Sequence, residues 1–393
     1  MKTLIQEAGA LRERILSVRR RIHRLAECGM AVGKTAALIT EVLQGEGYAV
    51  RPAGDCGITA ELAAKDKVAP VILLRADMDA LPIREDTRLP FRAENGAMHA
   101  CGHDMHAAML TGAACLLKKR EGTLPFRIRF AFEGAEETLS GAKEMLAAGI
   151  LSDVRAAAMV HVIPAIPLPT GTVLLPQAGI GAPAALFFRI DVRGRAAHVG
   201  ERERGEDALA LAVRLYRRME GAAESLGPRL SLSVGVLRAG DAPNILPAHA
   251  YLSGSFRSRD EGAFRRFGKT LSRLVKESAG ATLSYLGDCP PLENDGTLLS
   301  LLKERLPALG FGCVTPERGA GAAAEDFAHF AARVPAVCLG LAAGEAGRGY
   351  EHPLHHPAVL FDEDALPTGA ALYAATAMSL GEALPAFTNS PTA

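Results

Sequence analysis

Residues 98 to 110 read MHACGHDMHAAML, and His99, Cys101, His103, Asp104 and His106 fall there within eight positions. Thiolate, imidazole and carboxylate together form the borderline-soft donor set that takes zinc, cobalt, nickel or manganese. A lone His or Cys is more often packed than ligating, and this stretch lacks the repeated C-x-x-C spacing of a structural zinc knuckle. The crowding therefore points to a metal whose other ligands lie elsewhere in the chain.

Further groups of the right kind recur in order. VILLRADMDALP presents the buried apolar run of a parallel-type strand, Val71 to Leu74, followed by Asp77 and Asp79. The strand-like RIRFAF is followed by EGAEE, Glu133 to Glu137, and the strand-like AAAMV by His161. Three successive strands thus end in residues that bind metals or move protons, and open α/β sheets place ligands in the crevice beyond such strand ends.

Helices must carry and space these strands. Leu11, Ile15, Val18, Ile22 and Leu25 mark an amphipathic helix, and a second is expected over about 34 to 44, stopping at Gly45. Others are expected over about 103 to 119 and around SGAKEMLAAG. From about residue 184 the texture changes. ALFFRIDVRG alternates as a half-exposed strand, EDALALAVRLYRRM reads as a helix, and RLSLSVGVL and AHAYLSGSFRS alternate again. A helix through Phe264, Phe267, Leu271 and Leu274 and a strand ATLSYL complete a β-α-β-β-α-β order, that of a ferredoxin-like split βαβ module. After GDCPPLEND the α/β texture returns with the helix LLSLLKERLPAL, the strand VPAVCLGL, the segment EHPLHHP and a helix near 364 to 380. The expected organisation is a catalytic domain of residues 1–183 and 289–393 with an inserted domain of 184–288. The last ten residues are expected to fray.

At 393 residues the chain exceeds the size at which one core keeps growing. Its 44 basic and 44 acidic residues cancel, which removes any general pull toward nucleic acid or anionic membranes. A small-molecule partner fits better. Seven cysteines, odd in number and without framework spacing, predict reduced thiols in a cytoplasm. Charge interrupts the N-terminal apolar positions every few residues, so no signal-peptide core is expected, and no apolar run is long enough to span a bilayer.

Taken together, RADMDALPI, MHACGHDMHAAML, EGAEET with SGAKEML, HVIP, GRAAH, NILPAHAYLSGSFRS, AEDF and LHHPAVLFDEDALPTGAALYA resemble the amidohydrolase branch of the dinuclear metallopeptidase superfamily. That branch includes hippurate hydrolase, auxin-conjugate hydrolases, N-acetyldiaminopimelate deacetylase and bacterial N-acyl-amino-acid amidohydrolases. The resemblance runs from about Arg19 to Ala377.

It implies an open mixed-sheet α/β catalytic domain with an inserted ferredoxin-like lid and dimerisation domain, and two divalent ions (zinc, manganese, cobalt or nickel) per subunit. Carried over position by position, the ligands are Cys101, His103, Glu137, His161 and His355, with His352 and His356 as rivals to His355. Glu136 is the expected general base for a metal-bridging water, and Asp77, or alternatively Asp79, orients the base and a ligand histidine. His198 matches the lid histidine that reaches the scissile carbonyl oxygen, often from a neighbouring subunit. Asn244 and Arg257 match positions that hold the substrate's carboxylate or the lid itself. His99 and His106 fall outside the ligand set, where packing or support of a ligand is expected. For Asp104, helix capping, a supporting hydrogen bond and ligation all stand open. The activity implied is hydrolysis of an N-acyl amino acid to a carboxylic acid and a free amino acid in a cytoplasmic homodimer. A dipeptidase with the same machinery and an inactive ligand-binding homologue are the alternatives. Thr138-Leu139-Ser140, VGERERGED after His198 and AECGM near residue 28 depart from the family's usual residues, so the pocket rim is expected to be unusual.

Overall fold

The computed structural model describes residues 3–316 and 323–387. The chain divides into two compact units, one running to Gly181 and resuming from Glu293, the other formed by Ala182–Leu292 together with the described residues 323–325.

The first unit is built on an eight-stranded mixed sheet. Its spatial order is Val50–Pro52, Gly57–Leu62, Arg127–Glu133, Val71–Asp77, Val154–Ile163, Ala336–Ala342, Val173–Leu174 and Cys313–Val314. The four central strands are parallel, and Gly57–Leu62 pairs antiparallel with Arg127–Glu133. All seven residues of Val71–Asp77 are buried, as a central strand covered on both faces requires. The strand extends three residues beyond the expected run, so Arg75 and Asp77 sit inside it.

The helix His103–Leu117 is buried at every position. Its alanines and Gly112 allow close neighbours: a side chain at Gly112 would meet Ile15, from the helix Arg12–Leu25, at 2.7 Å. The helix Ala365–Phe387 approaches equally closely, with Gly369 against the Met109 side chain. That helix continues past the expected end near residue 380, and 388–393 lie outside the described residues.

The second unit is a four-stranded antiparallel sheet in the order Ser231–Ala239, His249–Ser258, Ala184–Arg193, Ala281–Cys289. Helices Ala208–Glu224 and Glu261–Lys276 pack on one face around Phe188, Ile190, Leu215, Phe256 and Phe267. Alternation along the strands puts these apolar residues under the helices and Arg189, Asp191, Tyr251 and Arg257 on the other face. None of the seven cysteines forms a disulfide. No helix among the described residues is long and apolar enough to cross a membrane.

Candidate active site

The parallel strands deliver their chemistry at their C-terminal ends, as the order of motifs predicts. Asp77 closes one strand and Glu133 its neighbour, while His161 stands two residues before the end of Val154–Ile163. Cys101 and His103 come from the turn entering His103–Leu117. Gly102 between them is left-handed at φ 83°, and a side chain there would sit 2.4 Å from the Val162 side chain. Only glycine fits that corner, which is how two donors on one turn face the same strand end.

These residues converge. Ligand atoms of Cys101, His103 and His161 lie within 4.8 Å of one another, and so do those of Cys101, Glu137 and His355, giving two triads that share one sulfur. Cys101 Sγ is 3.7 Å from His161 Nε2, and Glu137 Oε1 is 3.8 Å from His103 Nε2 and 3.5 Å from His355 Nε2. His355 is left-handed at φ 66°, and its backbone N–H donates to Ala100 O at 2.9 Å, which turns it toward the cluster. His352 and His356 instead stack on each other, ring centroids 3.9 Å apart. The His356 Nδ1 accepts the Ala358 N–H.

Both ring nitrogens of His103 and Glu137 Oε1 are buried and make no hydrogen bond. His103 Nδ1 is 3.3 Å from Asp79 Oδ1, close enough for charge attraction but outside hydrogen-bonding geometry. Buried polar atoms are nearly always partnered, and each orphan costs about 1–3 kcal/mol. Orphans of this kind, within a set of thiol, imidazole and carboxylate donors, fit divalent transition metals.

Burial and the close approach of charged groups shift these side chains strongly. Burial, with the charge of Glu137, pushes the Cys101 thiol well up. Burial also raises Glu137 to about 7, helped by Asp79 and Asp77 and opposed by His103. Burial acts in the opposite direction on His161, lowering it to about 3 and keeping it neutral. For His103 the nearby Asp77 and Cys101 outweigh burial and raise it well above the usual imidazole range.

Glu136 is nearly buried, its Oε2 3.9 Å from His103 Nε2. One carboxylate holds the turn that carries it: Asp79 Oδ1 accepts the Glu136 N–H at 3.2 Å and Oδ2 the Glu137 N–H at 3.3 Å. Ala135 (φ 63°) and Leu139 (φ 53°) bracket the two glutamates in left-handed conformations, which cost non-glycine residues about 1–2 kcal/mol each. Strain of this kind persists where the surroundings over-determine the backbone. Leu139 falls within the stretch where the family usually has glycines.

Asp77 faces elsewhere. Its Oδ1 lies 2.6 Å from His106 Nδ1 and its Oδ2 2.9 Å from Arg75 Nη1, with His103 Nε2 at 3.7 Å. Burial would raise this carboxyl, but His103, His106 and Arg75 hold it well below the usual range. Asp104 neither caps its helix nor joins the two triads. Its Oδ2 pairs with Arg19 Nε at 2.7 Å and His23 Nδ1 at 2.8 Å. His99 is fully buried, neutral, and unpartnered at both nitrogens.

Sequence reasoning passed over Arg75. Its guanidinium is fully buried and binds Glu133, Asp77 and Asp326, each at 2.9 Å. A lone charge inside the apolar run VILLRAD was the available signal, since a buried charge demands partners. Asp326 belongs to the AEDF motif and also accepts the Ala142 N–H.

In the second unit, His198 forms a two-residue strand with Ala197 that pairs with Ile245–Leu246, and its Nδ1 accepts the Gly200 N–H. Asn244 lies beside it, its carbonyl accepting the Val199 N–H at 3.2 Å. Arg257 lies on the open sheet face, its guanidinium 6.0 Å from the Phe187 ring.

An α/β sheet whose strand ends hold paired carboxylates, a thiol and imidazoles in overlapping triads defines a class of metal-dependent hydrolases. Peptidase family M20/M25/M40 matches residues 73–379, and the chain belongs to that family. It is 30% identical over 386 residues to the N-acetylcysteine deacetylase of Bacillus subtilis, covering 95% of this chain and 99% of that one. It is 32% identical over 379 residues to the Arabidopsis thaliana IAA-amino acid hydrolase ILR1-like 6, covering 92% and 78%. Among solved structures, the YXEP protein of Bacillus subtilis, a dinuclear metal binding peptidase from the M20 family, superposes with a TM-score of 0.74 at 29% identity. That match covers 95% of this chain and 99% of the other.

Proposed function

We propose that this chain is a metal-dependent amidohydrolase that cleaves the amide bond of an N-acyl amino acid, releasing a carboxylic acid and a free amino acid. The observation that carries this reading is the pair of donor triads sharing Cys101, with His103 and Glu137 buried and unsatisfied beside Glu136. The deacetylase and conjugate-hydrolase relatives support the substrate class.

Cys101, His103, Glu137, His161 and His355 are the proposed ligands of two divalent ions, with zinc, manganese, cobalt and nickel the candidates the donors suit. Such ions supply Lewis acidity toward the scissile carbonyl and a water that loses its proton readily. Glu136 accepts that proton and passes it to the departing amine nitrogen. Asp79 sets the position of Glu136 by gripping the backbone of both glutamates, and Asp77 supports the histidines behind them.

The second unit is proposed as a ferredoxin-like lid and dimerisation domain. His198 donates to the carbonyl oxygen as negative charge develops there, and Asn244 and Arg257 hold the substrate's carboxylate. A cytoplasmic homodimer completes the proposal.

The test is turnover of a panel of N-acetyl, aryl-acyl and dipeptide substrates, with manganese, zinc, cobalt and nickel supplied separately. Hydrolysis confined to dipeptides would move the assignment to a dipeptidase. Two bound ions with no amide cleaved would sink the hydrolase reading.

A further inference from the structure

We infer that His106, which lies outside the ligand set, is a positioning residue for His161. It acts through the backbone of Val162, whose N–H it holds, to decide which imidazole nitrogen His161 presents to an ion. The inference rests on the proposed role of His161 as a ligand.

The strands Val71–Asp77 and Val154–Ile163 pair as far as Arg75 and Met159, and there the ladder ends. Beyond that point two side chains fill the gap. The Tyr373 hydroxyl donates to Arg75 O at 2.9 Å and accepts the Val160 N–H at 3.2 Å. Two residues further along the same edge, His106 Nε2 lies 2.9 Å from Val162 N.

A peptide N–H can only donate, so His106 Nε2 is the acceptor and the neutral ring carries its proton on Nδ1. That N–H donates to Asp77 Oδ1 at 2.6 Å, and Arg75 holds the other oxygen of Asp77. The N–H and C=O of one strand residue face the same side, and the Val162 carbonyl accepts from His161 Nδ1 at 2.8 Å. A carbonyl can only accept, so His161 also carries its proton on Nδ1. Its Nε2 lone pair is left facing Cys101 Sγ at 3.7 Å. Hydrogen bonds of fixed polarity therefore link Arg75, Asp77, His106, the backbone of Val162 and His161: Arg75 and His106 donate to Asp77, Val162 donates to His106, and His161 donates to the Val162 carbonyl. Gly102, with no side chain, lets Val162 close against the turn that bears Cys101 and His103.

With His106→Leu, the Val162 N–H loses its partner, the strand end can turn, and His161 is free to adopt the other tautomer. Titration against a competing chelator resolves two ion affinities. The weaker binding should fall on one ion alone, by about 10- to 100-fold, as for partners that orient a ligand histidine. His106→Gln, whose amide can donate to Asp77 and accept from Val162, should stay within several-fold of the parent. A role in packing alone would lower thermal stability without splitting the two affinities.

Nitrogen-15 NMR of the metal-free parent should show both His106 and His161 as neutral rings protonated at Nδ1, a reading that needs no variant to fold. A folded His106→Leu with both affinities unchanged overturns the inference, and so does His161 protonated at Nε2. A parent that binds two ions but hydrolyses no amide would refute the proposed function and leave this inference standing.

Discussion

Replacing Arg75 with methionine removes the guanidinium that three buried carboxyl groups share and should destabilise the first unit more than any surface change. The guanidinium and its partners Asp77, Glu133 and Asp326 are all 0% exposed, so water cannot replace the lost contacts. Burial, with the charge of Glu133, raises the Asp326 carboxyl well above its usual range despite Arg75, so Asp326 holds a proton against Glu133. Methionine therefore leaves these buried carboxyls without the guanidinium that all three share. Breaking a buried ion pair by removing one partner costs about 3–5 kcal/mol. Three charge-assisted hydrogen bonds at about 1.5–3 kcal/mol each bracket that figure from above, since they are not additive. Against a total of about 5–15 kcal/mol, the metal-free variant should be only marginally folded at neutral pH. Urea unfolding of metal-free protein measures the deficit, and pH supplies the check. Asp326 sits above its unfolded value and loses the opposing charge of Arg75 in the variant, so its protonated form stabilises at low pH, and that contribution disappears as pH rises through the raised value. The deficit should therefore be larger at pH 8 than at pH 5, and Glu133→Gln with Asp326→Asn should recover part of it. A deficit below about 1 kcal/mol, or one equal at both pH values, would refute this account.

Glu136→Gln should retain both ions while turnover falls on the order of a thousandfold or more, because an amide keeps the shape and cannot accept a proton. Retention of more than about a tenth of the activity would remove Glu136 as the base. Cys101 should resist alkylation in the metal-loaded protein and react after chelation and partial unfolding, while the labelling of half-buried Cys28 stays independent of metal. In metal-free protein the buried histidines should cost stability between pH 6.5 and 5, against a gain from Glu137 and Asp326, whose raised carboxyls take up protons in the fold as pH falls through that window. Burial depresses His99 and His161 to about 3, so each imidazole contributes a loss of about 1.4 kcal/mol per pH unit below its unfolded value near 6.5. His103, raised instead, keeps its full contribution across that window, and His99→Leu should shift the slope by about 1.4 kcal/mol per pH unit toward greater stability at low pH. Mixing inactive His198→Ala subunits with inactive Glu136→Gln subunits should restore one working site per hybrid if His198 acts across a dimer, and none if it acts within its own chain.

The types and order of the donors were legible in the sequence. Cys101 and His103 share one turn, Glu136 and Glu137 another, and the apolar runs before them announce strands whose ends must meet in a parallel sheet. Local spacing and side-chain chemistry suffice for that much. They also suffice for the alternating strands and two helices of the second unit, because each element there carries its own periodicity.

What only the tertiary structure decided is which carboxylate does what. Asp77 and Asp79 are two residues apart with similar surroundings in sequence. Asp77 ends the strand and faces the buried Arg75 and His106, whereas Asp79 lies just past the strand end and reaches the backbone of Glu136 and Glu137. Arg75 finds Asp326 at a separation of 251 residues, and Asp104 finds Arg19 at 85. The left-handed turns at Ala135, Leu139 and His355 oppose local preference and hold only because the packed surroundings leave the chain no other path. Periodicity and spacing report on neighbours along the chain. The partner of a buried charge is set by which strands and helices pack together, and that is a property of the whole fold.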